Sequence, residues 1–368
     1  MRKQFRIFFR IAIDLCKIRV KIDCVNAYAK YINKIYIMTR KKLTIKDFAE
    51  ILGVSTATVS RAFSSKGRIS SKTRQNIISK AKELGYRANI HARSLSSPDS
   101  SMIALYYPEL NTEEPDYFVA EIMMGINSIL AQHGKNLQVN PLPLNASEAI
   151  LNLCKDQIMS GAIAGVIIIS GAESSRKLYK CAQDHAVSCV VIGNMEGVKN
   201  NNVIYDVRHG AFLAGRYFKN TSRKHPAYLS GHLDKHKQQG FHEGLEVPAK
   251  KIVKIGPGFG FKDGYNAMEL LRKDYPETDC VLCATDAMAM GFIKAALERK
   301  IKIPGDIAVI SYDDTWAARY YAPSLSSVRL KPFEIGKNSA IILERIMNGE
   351  TNIQPEVIEC DLVVRESS

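Results

Sequence analysis

The chain has 368 residues, 46% of them apolar, which is enough for two or three domains and too apolar for a disordered or fibrous polymer. Its net charge of +14 is unevenly placed: residues 1–38 carry nine basic and two acidic side chains, residues 39–98 carry thirteen and three, and the remainder is slightly acidic. Salt screens exposed charges beyond about 8 Å, so this excess points to a polyanionic partner for the first hundred residues only, with solvated Lys-rich helices as the plain alternative.

Cysteines at 16, 24, 154, 181, 189, 280, 283 and 360 are scattered rather than framed, which fits a reducing cytoplasm better than a disulfide scaffold. Cys280 and Cys283 form a C-x-x-C inside an apolar, strand-like run, where side chains three apart point to opposite faces and chelate poorly. No run reaches the ~18 apolar residues of a membrane span. Arg10, Asp14 and Lys17 interrupt the apolar stretches that a signal peptide would need. The expectation is a cytoplasmic protein with no membrane partner.

In chain order, residues 1–38 are basic and aromatic without a cap, heptad or turn pattern, and take no assignment. A coherent domain begins immediately after Met38, which makes Met38 the expected start of the translated protein; a basic arm adding phosphate contacts is the alternative. From Thr44 the pattern predicts three short helices. Thr44 and Asp47 have the spacing of a capping box, and Ile45, Phe48, Ala49 and Leu52 form an apolar stripe that Gly53 ends. Ser55 caps a second helix through Phe63 with Val59, Ala62 and Phe63 inward. Ser70 or Ser71 caps a third, with Ile77, Ile78, Ala81 and Leu84 inward before Gly85.

Helix, short glycine turn and a second helix opening on small polar residues make a helix-turn-helix, whose second helix enters the major groove. Thr56, Ala57, Ser60 and Arg61 are left outward. Arg61 can bond guanine, the hydroxyls serve either partner, and the methyl of Ala57 or Thr56 can meet a thymine methyl; a surface salt bridge is the other use for Arg61. Thr44, Ser55, Thr58, Lys72 and Thr73 sit at helix starts, where they serve as plain caps or as phosphate contacts.

Residues 89–101 turn small and polar and read as a linker. Beyond it, strand-like runs at Met102–Tyr107, Ala164–Ile169, Val187–Ile192, Ala227–Ser230, Cys280–Ala284 and Ile307–Ser311 alternate with helical patterns. That alternation predicts parallel sheets with crossover helices, and a ligand beyond the carboxyl ends of their strands. The expected division is 39–88 for a DNA-binding domain, 89–100 for a hinge, and 101–368 for an effector-binding and dimerisation domain.

The run from Leu43 through Phe63, with Arg68-Ile-Ser-Ser-Lys-Thr-Arg and Leu84-Gly-Tyr-Arg-Ala-Asn, resembles the LacI-family headpiece throughout, and the likeness continues to about Arg365. This resemblance implies an α/β protein: a small all-α helix-turn-helix headpiece with a hinge helix, followed by two Rossmann-like subdomains with parallel sheets. It also implies that Thr56, Ala57 and Arg61 read bases, that Asn89 contacts a DNA phosphate, and that Leu95 is an apolar wedge in the minor groove. The implied partners are a double-stranded DNA operator, a small-molecule effector, a sugar in the first instance, and a second copy of the chain. No leucine heptad follows Leu362, which favours a dimer over a tetramer.

The resemblance places Tyr117, Phe118, Tyr205 and Asp206 in the effector cleft, with Asp313 as the carboxylate that accepts from sugar hydroxyls. Phe259 falls where the family often has an aromatic over the ligand, Thr285 stands for a usual Asn, and Lys237 replaces an Arg with a compact ammonium. Asn111-Thr-Glu-Glu-Pro-Asp-Tyr-Phe is similar to the galactoside-responsive branch. Gly256-Pro-Gly-Phe-Gly breaks dinucleotide-loop spacing, His232, His236 and His242 sit among solvated basic residues, and neither a P-loop nor a nucleophile elbow occurs, so no cofactor, metal or catalysis is expected. The rival readings are a sugar-binding solute receptor, which needs export, and an α/β enzyme, for which Asp313 with His209 is the remaining acid–base pair.

Overall fold

The computed structural model describes residues 43–63, 69–84, 86, 101–110, 114–229, 235–247, 253–255 and 258–368. The chain divides into two compact units, Met1–Ser97 and Pro98–Ser368.

In the first unit, α1 (Ile45–Leu52), α2 (Thr56–Phe63) and α3 (Ser71–Leu84) enclose a core of Phe48, Ala49, Val59, Ala62, Ile77, Ala81 and Tyr86. Tyr86, which helical periodicity alone does not single out, closes that core: its ring stacks on Phe48 at 4.1 Å and meets Phe63 edge-on at 5.9 Å. Arg74 Nη1 donates to the Ala62 carbonyl at 2.9 Å, pinning α3 to the end of α2. Ile45, expected on the apolar stripe, is 37% exposed, because it lies on that face at the free first residue of the helix.

The second unit holds two sheets. The first has the order β11-β5-β4-β3-β1-β2, from β1 (Met102–Glu109), β2 (Asn136–Pro143), β3 (Gly165–Ile169), β4 (Ser188–Ile192), β5 (Asn202–Tyr205) and β11 (Glu356–Ile358), all parallel. The second has the order β12-β10-β9-β8-β6-β7, from β6 (Pro226–Leu229), β7 (Val253–Ile255), β8 (Cys280–Cys283), β9 (Ala308–Asp313), β10 (Ser326–Arg329) and β12 (Asp361–Val363); only β12 runs antiparallel. β3, β8 and β9 are buried along their whole length, since helices cover both faces, which is why they read as unbroken apolar runs. β2 was not expected, because it is a half-exposed edge strand carrying Pro141 and Pro143, the position where a missing donor does least harm. β5, β7, β10, β11 and β12, three or four residues each, are too short to show a pattern.

The chain passes between the two lobes three times. β5 leads into α7 (Val207–Asn220) on the second lobe, β10 into α12 (Pro332–Met347) on the first, and β11 into β12. The remaining helices are α4 (Tyr117–Leu130), α5 (Glu148–Met159), α6 (Glu173–Asp184), α8 (Lys235–Leu245), α9 (Phe261–Asp274), α10 (Asp286–Glu298) and the short α11 (Trp316–Tyr320).

Three helix pairs approach through glycines. Gly240 and Gly244 of α8 face the Arg208 and Phe212 carbonyls of α7; Gly125 of α4 and Gly336 of α12 face Phe333 and Ile122; Gly264 of α9 and Gly291 of α10 face Met288 and Phe261. At each, a Cβ would fall inside the van der Waals shell of the opposing oxygen. Gly240→Ala should therefore lower stability. Alanine's better helix propensity returns about 1 kcal/mol, whereas overpacking against backbone costs about 1–3 kcal/mol or more. Urea denaturation of the full chain should show a lower midpoint; an unchanged or higher one would mean that α7 and α8 can part freely.

Candidate functional site

On α2, Val59 and Ala62 turn inward while Thr56, Ala57, Ser60 and Arg61 are all exposed on the opposite face. The helical period of 3.6 residues puts 56, 57, 60 and 61 on one stripe. The hydroxyls at the helix starts are engaged as caps. Thr44 forms the capping box with Asp47, Ser55 Oγ accepts from Thr58 N at 3.1 Å, and Ser70 Oγ accepts from Thr73 N at 3.1 Å. Ser70, rather than Ser71, is thus the cap of α3. Ser55 and Thr58 also bond each other at 2.9 Å, and Ser70 and Thr73 at 2.7 Å, so both pairs are pre-arranged at helix N-termini. Lys72 is exposed in the first turn of α3. Asn89 and Leu95, with the rest of residues 87–100 and residues 1–42, lie outside the described residues.

In the second unit a cleft of about 270 Å³ opens between the lobes, walled by the loops beyond the carboxyl ends of the strands. Of the expected residues, Phe118, Tyr205, Lys237, Phe259, Thr285 and Asp313 line it. Two fall elsewhere. Asp206 is the N-cap of α7, its carboxylate accepting from His209 N at 2.9 Å and committed to that first turn. Tyr117 borders only a smaller adjoining hollow and meets Trp316 edge-on at 5.6 Å, because the first turn of α4 directs Phe118 and Val119 to the cleft and rotates Tyr117 away. Residue patterns missed Asp116, Ser170, Asn194 and His236, which also line it. The signal that could have found two of them is position, since Ser170 follows β3 and Asn194 follows β4 closely.

Phe118 and Tyr205 meet edge-on at 5.9 Å and form one apolar wall. Thr285 N-caps α10, accepting from Met288 N at 3.2 Å and donating to the Phe259 carbonyl at 2.6 Å, so it fixes the aromatic beside it. Lys237 Nζ donates to the Ala284 carbonyl at 2.8 Å and stands over the Tyr312 ring, 4.1 Å from its centroid. The ammonium is thereby held against the wall rather than swinging as a mobile charge. Asp116 N-caps α4 through Val119 N at 3.0 Å. Desolvation pushes its carboxyl above the usual range, against the pull of the Val119 and Phe118 amides and the Lys237 charge.

Neighbouring acids divide their work here. Asp313 and Asp314 both take positive φ, 103° and 51°, in the region that costs a side-chain-bearing residue strain. This kink sends Asp313 to the cleft, and buries the Asp314 carboxylate against Arg329 Nε at 2.7 Å and Arg365 Nη2 at 2.6 Å. His209 does not line the cleft; it stands at the start of α7 stacked against Phe212, so the acid–base pair with Asp313 does not assemble. Cys280 and Cys283 are buried in β8 with thiols pushed up by desolvation, the opposite of a reactive thiolate. No metal-binding group of His, Cys, Asp or Glu occurs among the described residues; His232 lies outside them.

Behind the cleft, Asp286 is buried and accepts from Ser311 Oγ at 2.5 Å, Thr315 N and Oγ1 at 2.8 Å each, and Ser327 Oγ at 2.9 Å. Burial outweighs these four donors and raises its carboxyl from 3.8 to about 6. A carboxyl with a raised folded-state pKa contributes stability below the ordinary carboxylate range and loses it as pH rises through the folded value. The unfolding free-energy gap between wild type and Asp286→Asn should therefore shrink as pH climbs from about 4 to 7. Urea titrations at four pH values measure it; a gap that widens instead would show the hydroxyl donors winning over burial.

Residues 44–89 match the family model for bacterial regulatory proteins of the lacI family, and residues 207–368 match that of the periplasmic-binding-protein-like domain. The chain is 26% identical over 318 residues to catabolite control protein A of Priestia megaterium, covering 84% of this chain and 94% of that protein. It is 28% identical over 334 residues to the transcriptional repressor PurR of Histophilus somni, covering 88% and 98%. Among solved structures, a lac repressor dimer bound to operator and the anti-inducer ONPF superposes with a TM-score of 0.73 at 22% identity, covering 89% of this chain and 99% of that one. The complex of the regulator CelR with cellobiose gives 0.65 at 24%, covering 89% and 100%. These relatives are transcriptional regulators, not enzymes, and they span both units. The chain thus joins a lacI-family helix-turn-helix domain to a periplasmic-binding-protein-like domain in one polypeptide, and over most of its length it is similar to transcriptional repressors built from the same pair.

Proposed function

We propose that this chain is a repressor that binds a near-palindromic operator as a homodimer and lets go when a sugar occupies the cleft of the second unit. The observation that carries the DNA half is the single exposed stripe of Thr56, Ala57, Ser60 and Arg61 on α2, opposite the residues that pack it. In this reading those four meet base edges, and Thr44, Ser55, Thr58, Lys72 and Thr73 meet phosphates through helix N-termini. In the same reading Asn89 meets a phosphate and Leu95 wedges between base steps of the minor groove. Two-fold symmetry of a dimer is mirrored in its DNA site, and a lac repressor with the same fold was solved as a dimer on operator.

The effector half rests on the chemistry of the cleft. Phe118, Tyr205 and Phe259 offer flat apolar faces, while Asp116, Asp313, Ser170 and Asn194 offer hydrogen-bonding groups that suit the alternating faces and hydroxyls of a sugar. No arginine occurs among the described lining residues, and Lys237 is already turned to Ala284 and Tyr312, so an uncharged sugar fits better than a uronate, phosphate or purine. Galactosides are the first set to test, on the acidic stretch before Tyr117; the cellobiose complex of CelR makes β-glucosides the second. An effector that prefers one of two conformations shifts operator affinity by its differential binding, typically 1–3 kcal/mol.

Selection of bound sites from random DNA, followed by gel-shift titration with and without neutral sugars, tests both halves. Arg61→Ala should lose about 1–3 kcal/mol of discrimination at one base-pair position while leaving non-specific binding nearly intact. A uniform loss across all sequences would assign Arg61 to the phosphates instead. Asp313→Asn, which tolerates the same backbone, should keep operator affinity in the absence of sugar and abolish release by it. If operator affinity never responds to any sugar in the wild-type protein, the effector reading is wrong.

A further inference from the structure

Two carboxylates of the first lobe reach across the rim of the cleft to backbone amides of the second. Glu114, in the loop before α4, accepts from Phe261 N at 2.5 Å and from Lys262 N at 3.1 Å, the first two amides of α9. Glu121, one turn into α4, accepts from Trp316 N at 2.7 Å, the first amide of α11. Tyr117, between them in sequence, packs edge-on against the Trp316 ring at 5.6 Å.

The need for these bonds is built into the second lobe. The N-cap of α9 is Gly260, which has no side chain to offer; Asp263 Oδ2 accepts the Gly260 amide at 3.0 Å, and the Phe261 and Lys262 amides take Glu114. The first amides of a helix carry partial positive charge and no partner within the helix. A carboxylate there makes charge-assisted bonds, roughly twice as strong as neutral ones. Glu114 and Glu121 belong to one lobe and their amides to the other, so all three bonds exist only while the lobes are together.

We infer that Glu114 and Glu121 form a clasp that holds the cleft of the second unit closed, acting as positioning residues that set the balance between closed and open lobes. The geometry requires that the two act together: opening the rim breaks both sets of bonds at once. A purely local role, each acid merely capping its own neighbour, predicts two independent effects, because sites with no shared partner add. The inference stands on this geometry and does not depend on which effector fills the cleft.

Trp316 is the only tryptophan in the chain and lies at the clasp, half exposed, so its fluorescence reports the rim without a label. The experiment compares emission maximum and acrylamide quenching of the full chain for wild type, Glu114→Gln, Glu121→Gln, the double variant, and Glu114→Asp as a milder change, with circular dichroism to show that each is folded. Glu114→Gln touches nothing on α11, yet a clasp requires it to red-shift Trp316 and raise its quenching constant. Glu121→Gln should do the same, and the double variant should add little beyond either single one. Glu114→Asp, with a shorter arm, should fall between wild type and Glu114→Gln. Unchanged Trp316 quenching in both Glu114 variants, or effects that simply add in the double, would overturn the clasp and leave two separate helix caps.

Discussion

The second unit depends on a buried charge. Asp314 has no solvent-exposed side-chain surface, and its carboxylate is balanced by Arg329 at the end of β10 and Arg365 just after β12. Arg319 approaches from α11 at 3.7 Å. Enclosing a carboxylate is costly unless its partners stay in place, and removing one partner of such a pair costs about 3–5 kcal/mol. The two closest partners flank the places where the chain leaves the second lobe for α12 and where it has just returned in β12. One electrostatic requirement therefore ties together β9, β10 and β12, and with them two of the three connections between lobes.

That tie also positions the cleft. Asp313 can line the cavity only because Asp314 is drawn the other way, and the positive φ at both residues is the backbone cost of sending adjacent acids in opposite directions. Asp286 adds a second buried carboxylate, held by hydroxyls from β9, from β10 and from Thr315 just after β9. A buried polar network thus lies behind the cleft, whose own lining carries the apolar wall of Phe118 and Tyr205. Glycine-mediated helix contacts pack each lobe tightly, and tightly packed interiors pass displacement on rather than absorb it. Relative movement of the lobes then falls to the connecting segments and to the rim where Glu114 and Glu121 reach across.

The first unit is built on a different balance. Its core is small, and the Phe48–Tyr86 stack supplies much of its large apolar surface. Capping side chains complete the helix starts at Thr44, Ser55 and Ser70, so short helices that would be marginal alone are stabilised at their ends and by packing. Those hydroxyls are therefore engaged in holding the helix starts, with Ser55 bonded to Thr58 and Ser70 to Thr73.

Much of this was legible in the residues alone. The charge imbalance, the caps, the glycine turn and the apolar spacing defined the helix-turn-helix, because local hydrogen bonding and helical periodicity are written in neighbouring residues. Buried parallel strands were legible for a related reason: covered on both faces, they need unbroken apolar runs. What the sequence could not determine is whatever depends on rotation or on distant partners. Tyr117 and Phe118 are adjacent and both aromatic, yet one turn of α4 separates their roles. Asp206 and Asp313 are both acids near strand ends, yet one is consumed by a helix cap. Asp116, His236, Asn194 and the reach of Glu114 to α9 arise from lobes that meet in space across more than a hundred residues, and only the folded chain brings those atoms together.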